Sequence, residues 1–184
     1  MHVRLLRQFL FGVTLCSTFL TACTPKPPPE EVPPLQVEER DEYRTCPRER
    51  SIVQVDTLAY RLRLCHAGRE EGSFRVALGR GGLNKRVEGD ARTPLGRYYL
   101  GLGRPSDYFH TFIPVGYPTP EQKRQGYSGG AIGIHGPHQD PDRYKDTVRL
   151  SNWTLGCIAV PSREDIEKIA AWVKDKHVME VVIQ

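Results

Sequence analysis

The chain has 184 residues, 39% hydrophobic and 26% charged, with 15 prolines and a formal net charge of +4. That length accommodates one domain with a tail and a real core, and it excludes a collagen, a wholly disordered chain and a polytopic membrane protein. The basic residues are scattered rather than striped, so the chain carries no nucleic-acid footprint.

From the N-terminus, residues 1–8 contain Arg4 and Arg7 and no acid, and residues 9–20 are uncharged. A basic stretch followed by an apolar run of about a dozen residues fits a secretory signal and falls short of the roughly 20 residues of a membrane span. Leu20-Thr21-Ala22-Cys23 closes the run and resembles the bacterial lipobox. The resemblance implies a signal peptide over 1–22, lipidation of Cys23, and export to a compartment that permits disulfides. A plain signal peptide with an incidental Cys23 is the alternative. Thr24 stands where the inner-membrane sorting pattern has aspartate, which favours a lipid anchor in the outer membrane, facing the periplasm. Residues 25–34 then hold six prolines, a composition that refuses helix and central strand and favours extended polyproline II. Residues 23–50 therefore form a semi-rigid tether, and 51–184 the folded domain.

Within the domain, Ile52, Val53 and Val55 predict a short strand. Tyr60, Leu62 and Leu64 alternate with Arg61, Arg63 and Cys65 in a second. Ala67-Gly68-Arg69 breaks the pattern, and a third strand is expected over 74–78, completing a meander. A Gly-rich loop over 79–90 leads to a strand near 97–102. Residues 104–127 read as irregular, except that Thr119-Pro120-Glu121-Gln122 carries a capping-box pattern for one short helix. A strand is expected over 131–134. Ser162 caps a helix whose apolar positions Ile166, Ile169, Ala170 and Val173 follow helical spacing, and 178–183 closes as a strand. Many strands and one main helix make the fold mostly β.

Two segments carry candidate chemistry. Ile132-Gly133-Ile134-His135-Gly136-Pro137 places a histidine where a strand meets a Gly-Pro break. Asn152-Trp153-Thr154-Leu155-Gly156-Cys157 places a cysteine after a glycine, which permits a tight turn and close substrate approach. A Cys–His pair can perform acyl transfer: imidazole takes the thiol proton, thiolate attacks a carbonyl, and backbone N–H groups hold the oxyanion. On spacing alone, a buried structural cysteine and a loop histidine remain the alternative.

The two segments resemble the signature of the L,D-transpeptidases of the YkuD catalytic domain: His-Gly, then Ser/Thr-x-Gly-Cys roughly twenty residues on, here His135-Gly136 and Thr154-Leu155-Gly156-Cys157. Gly89-Asp90, with Arg92-Thr93-Pro94-Leu95-Gly96-Arg97-Tyr98, resembles the family's upstream strand–loop–strand. The resemblance implies a β-sandwich-like catalytic fold with one main C-terminal helix and a short helix in a loop, and an enzyme acting on peptidoglycan stem tetrapeptides. Cys157 would be the nucleophile and His135 the base. The Gly136 carbonyl would fix the tautomer, and the Gly156 and Cys157 N–H groups would form the oxyanion hole. A thioester would pass to an amine (giving a 3–3 cross-link or attachment of an envelope protein) or to water. The route needs no cofactor and no metal. Ala159 replaces the Arg or Asn common two residues after the cysteine, and Leu155 a common His. Substrate contacts are then expected from Thr154, Trp153, Arg92, Arg149 and His138, with Arg163 also near in sequence. An amide-cleaving hydrolase and a silent wall-binding lipoprotein of the same fold are the alternatives.

Other patterns point elsewhere. The histidines of His135-Gly-Pro-His138 do not share a helix face, against a zinc site. Arg80-Gly81-Gly82 lacks the Gly-Lys-Ser/Thr of a phosphate loop and reads as a β-loop. Residues 108–117 are either a flap or a packed connection. With Cys23 lipidated and Cys157 catalytic, Cys46 and Cys65 are the unassigned cysteines of the exported chain. Antiparallel pairing of the first two strands brings them together as a disulfide.

Overall fold

A computed structural model describes residues 45–140 and 152–184. The expectations for the signal, Cys23, most of the tether and Arg149 lie outside the described residues.

The first sheet has five strands in the order β3-β2-β1-β9-β4: β1 (Ile52–Asp56), β2 (Arg61–His66), β3 (Arg69–Arg75), β4 (Gly96–Tyr99) and β9 (Glu180–Ile183). The second has four in the order β5-β6-β7-β8: β5 (Arg104–Ser106), β6 (His110–Pro114), β7 (Gly133–His135) and β8 (Ile158–Ala159). The two helices among the described residues are α1 (Pro120–Arg124) and α2 (Arg163–Asp175). The fold is mostly β, as the strand-rich sequence predicts.

The alternation in β1 and β2 turns Val53, Val55, Leu62 and Leu64 inward. There they share one core with Ile113, Ile134 and Ile158 of the second sheet and Ile166, Ile169 and Val173 of α2. Each such side chain removed from water contributes about 1.5–3 kcal/mol. α2 begins where Ser162 Oγ accepts the Asp165 N–H at 3.0 Å. α1 begins with a reciprocal box between Thr119 and Gln122.

On the opposite face of the first sheet, Cys46 and Cys65 form a disulfide with Cα atoms 5.1 Å apart. It packs with Ile52 and Val182 in a small second cluster. The Gly68 N–H donates to the Pro47 carbonyl at 2.9 Å, so the segment before β1 is fixed to the sheet at two points.

Three expectations need correction. Ala67 and Gly68 both have positive φ (47° and 79°). They form a tight hairpin rather than a long break, and β3 starts at once at Arg69. Residues 77–79 leave the first sheet instead of extending β3: Ala77 bridges to Ala159 and Gly79 to Thr154. The aromatic stretch taken as irregular is the hairpin β5–β6. Pro105 sits on an edge strand and Pro114 at a strand end, the two places a sheet accepts proline.

Candidate active site

β7 delivers His135 to its C-terminal end, with 1% of the side chain exposed. Its Nδ1–H donates to the Gly136 carbonyl at 2.7 Å, leaving Nε2 as the free lone pair. The ring stacks on Phe109 at 3.8 Å between centroids and meets Trp153 edge-on at 5.6 Å. Burial in this aromatic box lowers its pKa to about 4. The bond to Gly136 opposes that shift, and His138 adds to it. The imidazole is neutral at physiological pH.

Cys157 precedes β8, which pairs in parallel with β7. Its Sγ lies 3.5 Å from the Ala131 carbonyl oxygen. Burial pushes its pKa up, against the pull of the Gly133 N–H and the Lys85 ammonium. The resting pair is therefore thiol and imidazole rather than thiolate and imidazolium. Both side chains line one cleft of about 790 Å³.

The nucleophile loop is shaped by Thr154, which is 3% exposed. Its Oγ1 accepts the Gly156 N–H at 3.1 Å, and its hydroxyl donates to the Cys157 carbonyl at 2.7 Å. Gly156 has φ +130°, and a Cβ there would stand 2.6 Å from the Arg92 carbonyl oxygen. Only glycine fits this turn. The segment 78–80 runs alongside: Leu78 N–H donates to Asn152 Oδ1 at 3.0 Å, Thr154 N–H to the Leu78 carbonyl at 3.2 Å, and Arg80 N–H to the Thr154 carbonyl at 2.9 Å.

Behind this segment lies a buried ion pair. Lys85 Nζ donates to Asp90 Oδ1 at 2.7 Å, and the Asp90 carboxylate also accepts backbone N–H groups from Arg86, Val87 and Arg92. Burial alone would raise the Asp90 pKa. The Lys85 bond and the three N–H groups overcome it and hold the carboxyl well below the usual range.

The expected substrate contacts divide. Trp153, His138 and Thr154 line the cleft with His135 and Cys157, although the Thr154 hydroxyl is committed within its own loop. His138 Nδ1 accepts the Asp140 N–H at 3.0 Å, so Nε2 carries the proton. Arg92 does not line the cleft; its guanidinium turns to the Leu83 carbonyl at 3.4 Å, and its own carbonyl backs Gly156. Arg163 lies in a separate groove, paired with Glu167 at 2.6 Å. The Gly156 N–H assigned to an oxyanion hole is directed at Thr154, while no acceptor is found for the Cys157 N–H among the described residues. Ala159 is 2% exposed and bridged to Ala77, so no long cation fits at that position. Sequence reasoning assigned no substrate contact to Arg80, Phe109 or Asn152, all of which line the cleft. Among the described residues no three His, Cys, Asp or Glu side chains group as metal ligands.

The site thus joins a two-sheet fold with a tautomer-fixed histidine and a cysteine that line one cleft. The model of the YkuD L,D-transpeptidase catalytic domain matches residues 50–183, and the chain belongs to that family. Members of the family act on peptidoglycan stem peptides. Among solved structures, the chain is similar to the helical cell shape determining protein Pgp2 from Campylobacter jejuni. The two share 31% identity over 73% of this chain and 47% of that one, with a TM-score of 0.59. Bd1075 from Bdellovibrio bacteriovorus shares the fold at 20% identity, covering 73% and 47% of the two chains, with a TM-score of 0.54. An L,D-transpeptidase from Enterococcus faecium is also similar, at 15% identity over 74% and 50% and a TM-score of 0.49. The chain thus spans about half the length of these relatives. No curated protein matches it.

Proposed function

We propose that the protein is a cell-envelope cysteine acyltransferase acting on peptidoglycan stem peptides, anchored by lipid on Cys23 and facing the periplasm. The observation that carries this reading is the Nδ1–H bond from His135 to Gly136, which leaves Nε2 as the basic nitrogen of a histidine that lines the same cleft as Cys157. Nε2 takes the Sγ proton as sulfur attacks the carbonyl of the third stem residue. The tetrahedral oxyanion forms beside the Cys157 N–H, and its collapse expels the terminal D-Ala amine, which takes the proton back from the imidazolium. The product is a thioester on Cys157. An incoming amine, from another stem or an envelope protein, resolves it to an amide. Water would give net cleavage.

A neutral resting pair suits this route. The imidazole is a base as it stands, and charge develops only as the acyl group is attacked, in a site walled by Phe109 and Trp153. The test is mass spectrometry of muropeptides after incubation with the protein, with intact-mass detection of the acyl-enzyme. New cross-linked or trimmed muropeptides and a Cys157 adduct are expected, and Cys157→Ala should lose both. Undiminished turnover by that variant would refute the assignment.

A further inference from the structure

Several cations of the fold are held in ion pairs. Lys85 is bound to Asp90, Arg163 to Glu167 and Lys168 to Glu164, while Arg50 and Arg97 both meet Glu180. The Arg80 guanidinium has no acceptor among the described residues, and it is the only Lys or Arg among those that line the cleft. The flanking backbone is wedged. A Cβ at Gly79 would stand 2.4 Å from the Ala91 carbonyl oxygen, and one at Gly81 2.2 Å from that of Asp90. On the other side, the Arg80 N–H is tied to the Thr154 carbonyl at 2.9 Å, three residues before the nucleophile. Between two glycines that admit no side chain, Arg80 alone projects from a rigid segment registered on the Cys157 loop. Beside it the wall carries Tyr108, Phe109, Ile132, Trp153 and Leu155, with the polar His138 and Asn152 also lining the cleft.

We infer that Arg80 binds a carboxylate of the peptide substrate and thereby sets which carbonyl reaches Cys157. A guanidinium presents a planar fork that matches a carboxylate through two parallel hydrogen bonds. An unpaired cation beside large apolar side chains suits a ligand with an apolar body and an anionic end. Two such ends flank the attacked carbonyl, the terminal carboxylate and the side-chain carboxylate of a diaminodicarboxylic third residue. The inference rests on the proposed substrate class, and it adds the residue that reads it.

Binding to the full-length Cys157→Ala protein reads the arginine without any chemistry, while thioester formation by the wild type reads the proposed reaction. The probes are a stem tetrapeptide with both carboxylates free and two versions, each amidated at one of them. Arg80→Gln is expected to raise Kd for the free-acid peptide roughly tenfold, the scale of one exposed charge-assisted contact. Arg80→Lys should recover part of that loss, and added salt should shrink it. For the carboxylate that Arg80 holds, amidation and Arg80→Gln should not add, which identifies the end that is bound. Unchanged Kd in Arg80→Gln, or full additivity with both amidated peptides, would overturn the inference even if the wild type forms its thioester. A weakened, salt-sensitive and non-additive Kd would sustain it even if no thioester forms.

Discussion

In the first sheet, β1 and β2 pair through five successive residues from Ile52↔Cys65 to Asp56↔Arg61, with Val53, Val55, Leu62 and Leu64 in the core beneath. Around the cleft, segments 78–80 and 152–154 are joined by two backbone bonds and one that the Asn152 side-chain oxygen accepts from the Leu78 N–H. Lys85, Thr93, His135 and Thr154 are buried there, each satisfied by a specific partner. The sheet draws its stability from apolar area, which tolerates substitution by similar volume. The cleft wall draws its geometry from directed polar contacts, which do not. Mutations should therefore separate the two regions, with turnover most sensitive at the cleft and least at the sheet's far face.

The largest effect after loss of the nucleophile is expected at His135. His135→Gln should lower kcat by roughly 10²–10⁴-fold, the usual worth of a positioned general base. The wild-type pH profile sharpens this. A pKa lowered to about 4 keeps the imidazole deprotonated above that value, so the acid limb of kcat/KM should fall near pH 4 rather than at the ordinary 6.5. The same shift bears on stability. The unfolded chain binds this proton from about pH 6.5 downward and the folded chain only near 4, so stability is lost as pH falls between the two. An acid limb at 6.5 would mean that the aromatic box does not desolvate the ring.

Gly156→Ala comes next. A Cβ 2.6 Å from the Arg92 carbonyl oxygen, at φ +130°, imposes strain of about 1–3 kcal/mol and displaces the adjacent sulfur. Turnover should drop on the order of 10²-fold, as misplacement by about an ångström does, while the circular dichroism spectrum is retained. Wild-type kcat in this variant would show that the loop's turn is not what positions Cys157.

Asp90→Asn should damage the fold more than the chemistry. It leaves the Lys85 ammonium, 4% exposed, without its counter-charge, at a cost of about 3–5 kcal/mol. Denaturant unfolding would measure this. A loss below 1 kcal/mol would mean that the bond Lys85 already donates to the Val87 carbonyl, at 3.0 Å, is enough to hold the ammonium.

The same contrast governs what the sequence revealed. α2, its Ser162 cap, the first two strands of the meander and the capping box of α1 were legible because each rests on a short-range pattern. The His135–Gly136 and Thr154–Cys157 segments were legible as motifs. The β5–β6 hairpin was hidden because two prolines and a left-handed His110 (φ 62°) disguise strands that are edge-placed or short. Arg80 was hidden for a different reason. Its glycine-rich neighbourhood reads as a loop, and only pairing with Thr154, 74 positions away, turns it toward the cleft. Arg92 attracted attention by proximity to the Thr93-Pro94 motif, yet its functional contact is a backbone carbonyl, which no residue type announces.

The smallest effect on turnover is expected at the Cys46–Cys65 bridge. It lies on the face of the first sheet opposite the main core, packed with Ile52 and Val182, and none of these residues lines the cleft. The cysteines are 19 positions apart. Cross-linking a loop of that size removes unfolded-state entropy worth on the order of 3 kcal/mol. Cys46→Ser with Cys65→Ser should therefore lower the denaturant midpoint with little change in m, and leave kcat/KM within about twofold of wild type. The double substitution also exchanges two apolar sulfurs for hydroxyls beside Ile52, so part of the stability loss belongs to packing rather than to the cross-link. Reducing the wild-type bridge chemically separates the two contributions, because it breaks the loop and keeps the sulfurs. A fall in kcat/KM upon reduction, with Cys157 intact by mass, would show that the far face of the sheet reaches the cleft after all and would erase the division between the two regions.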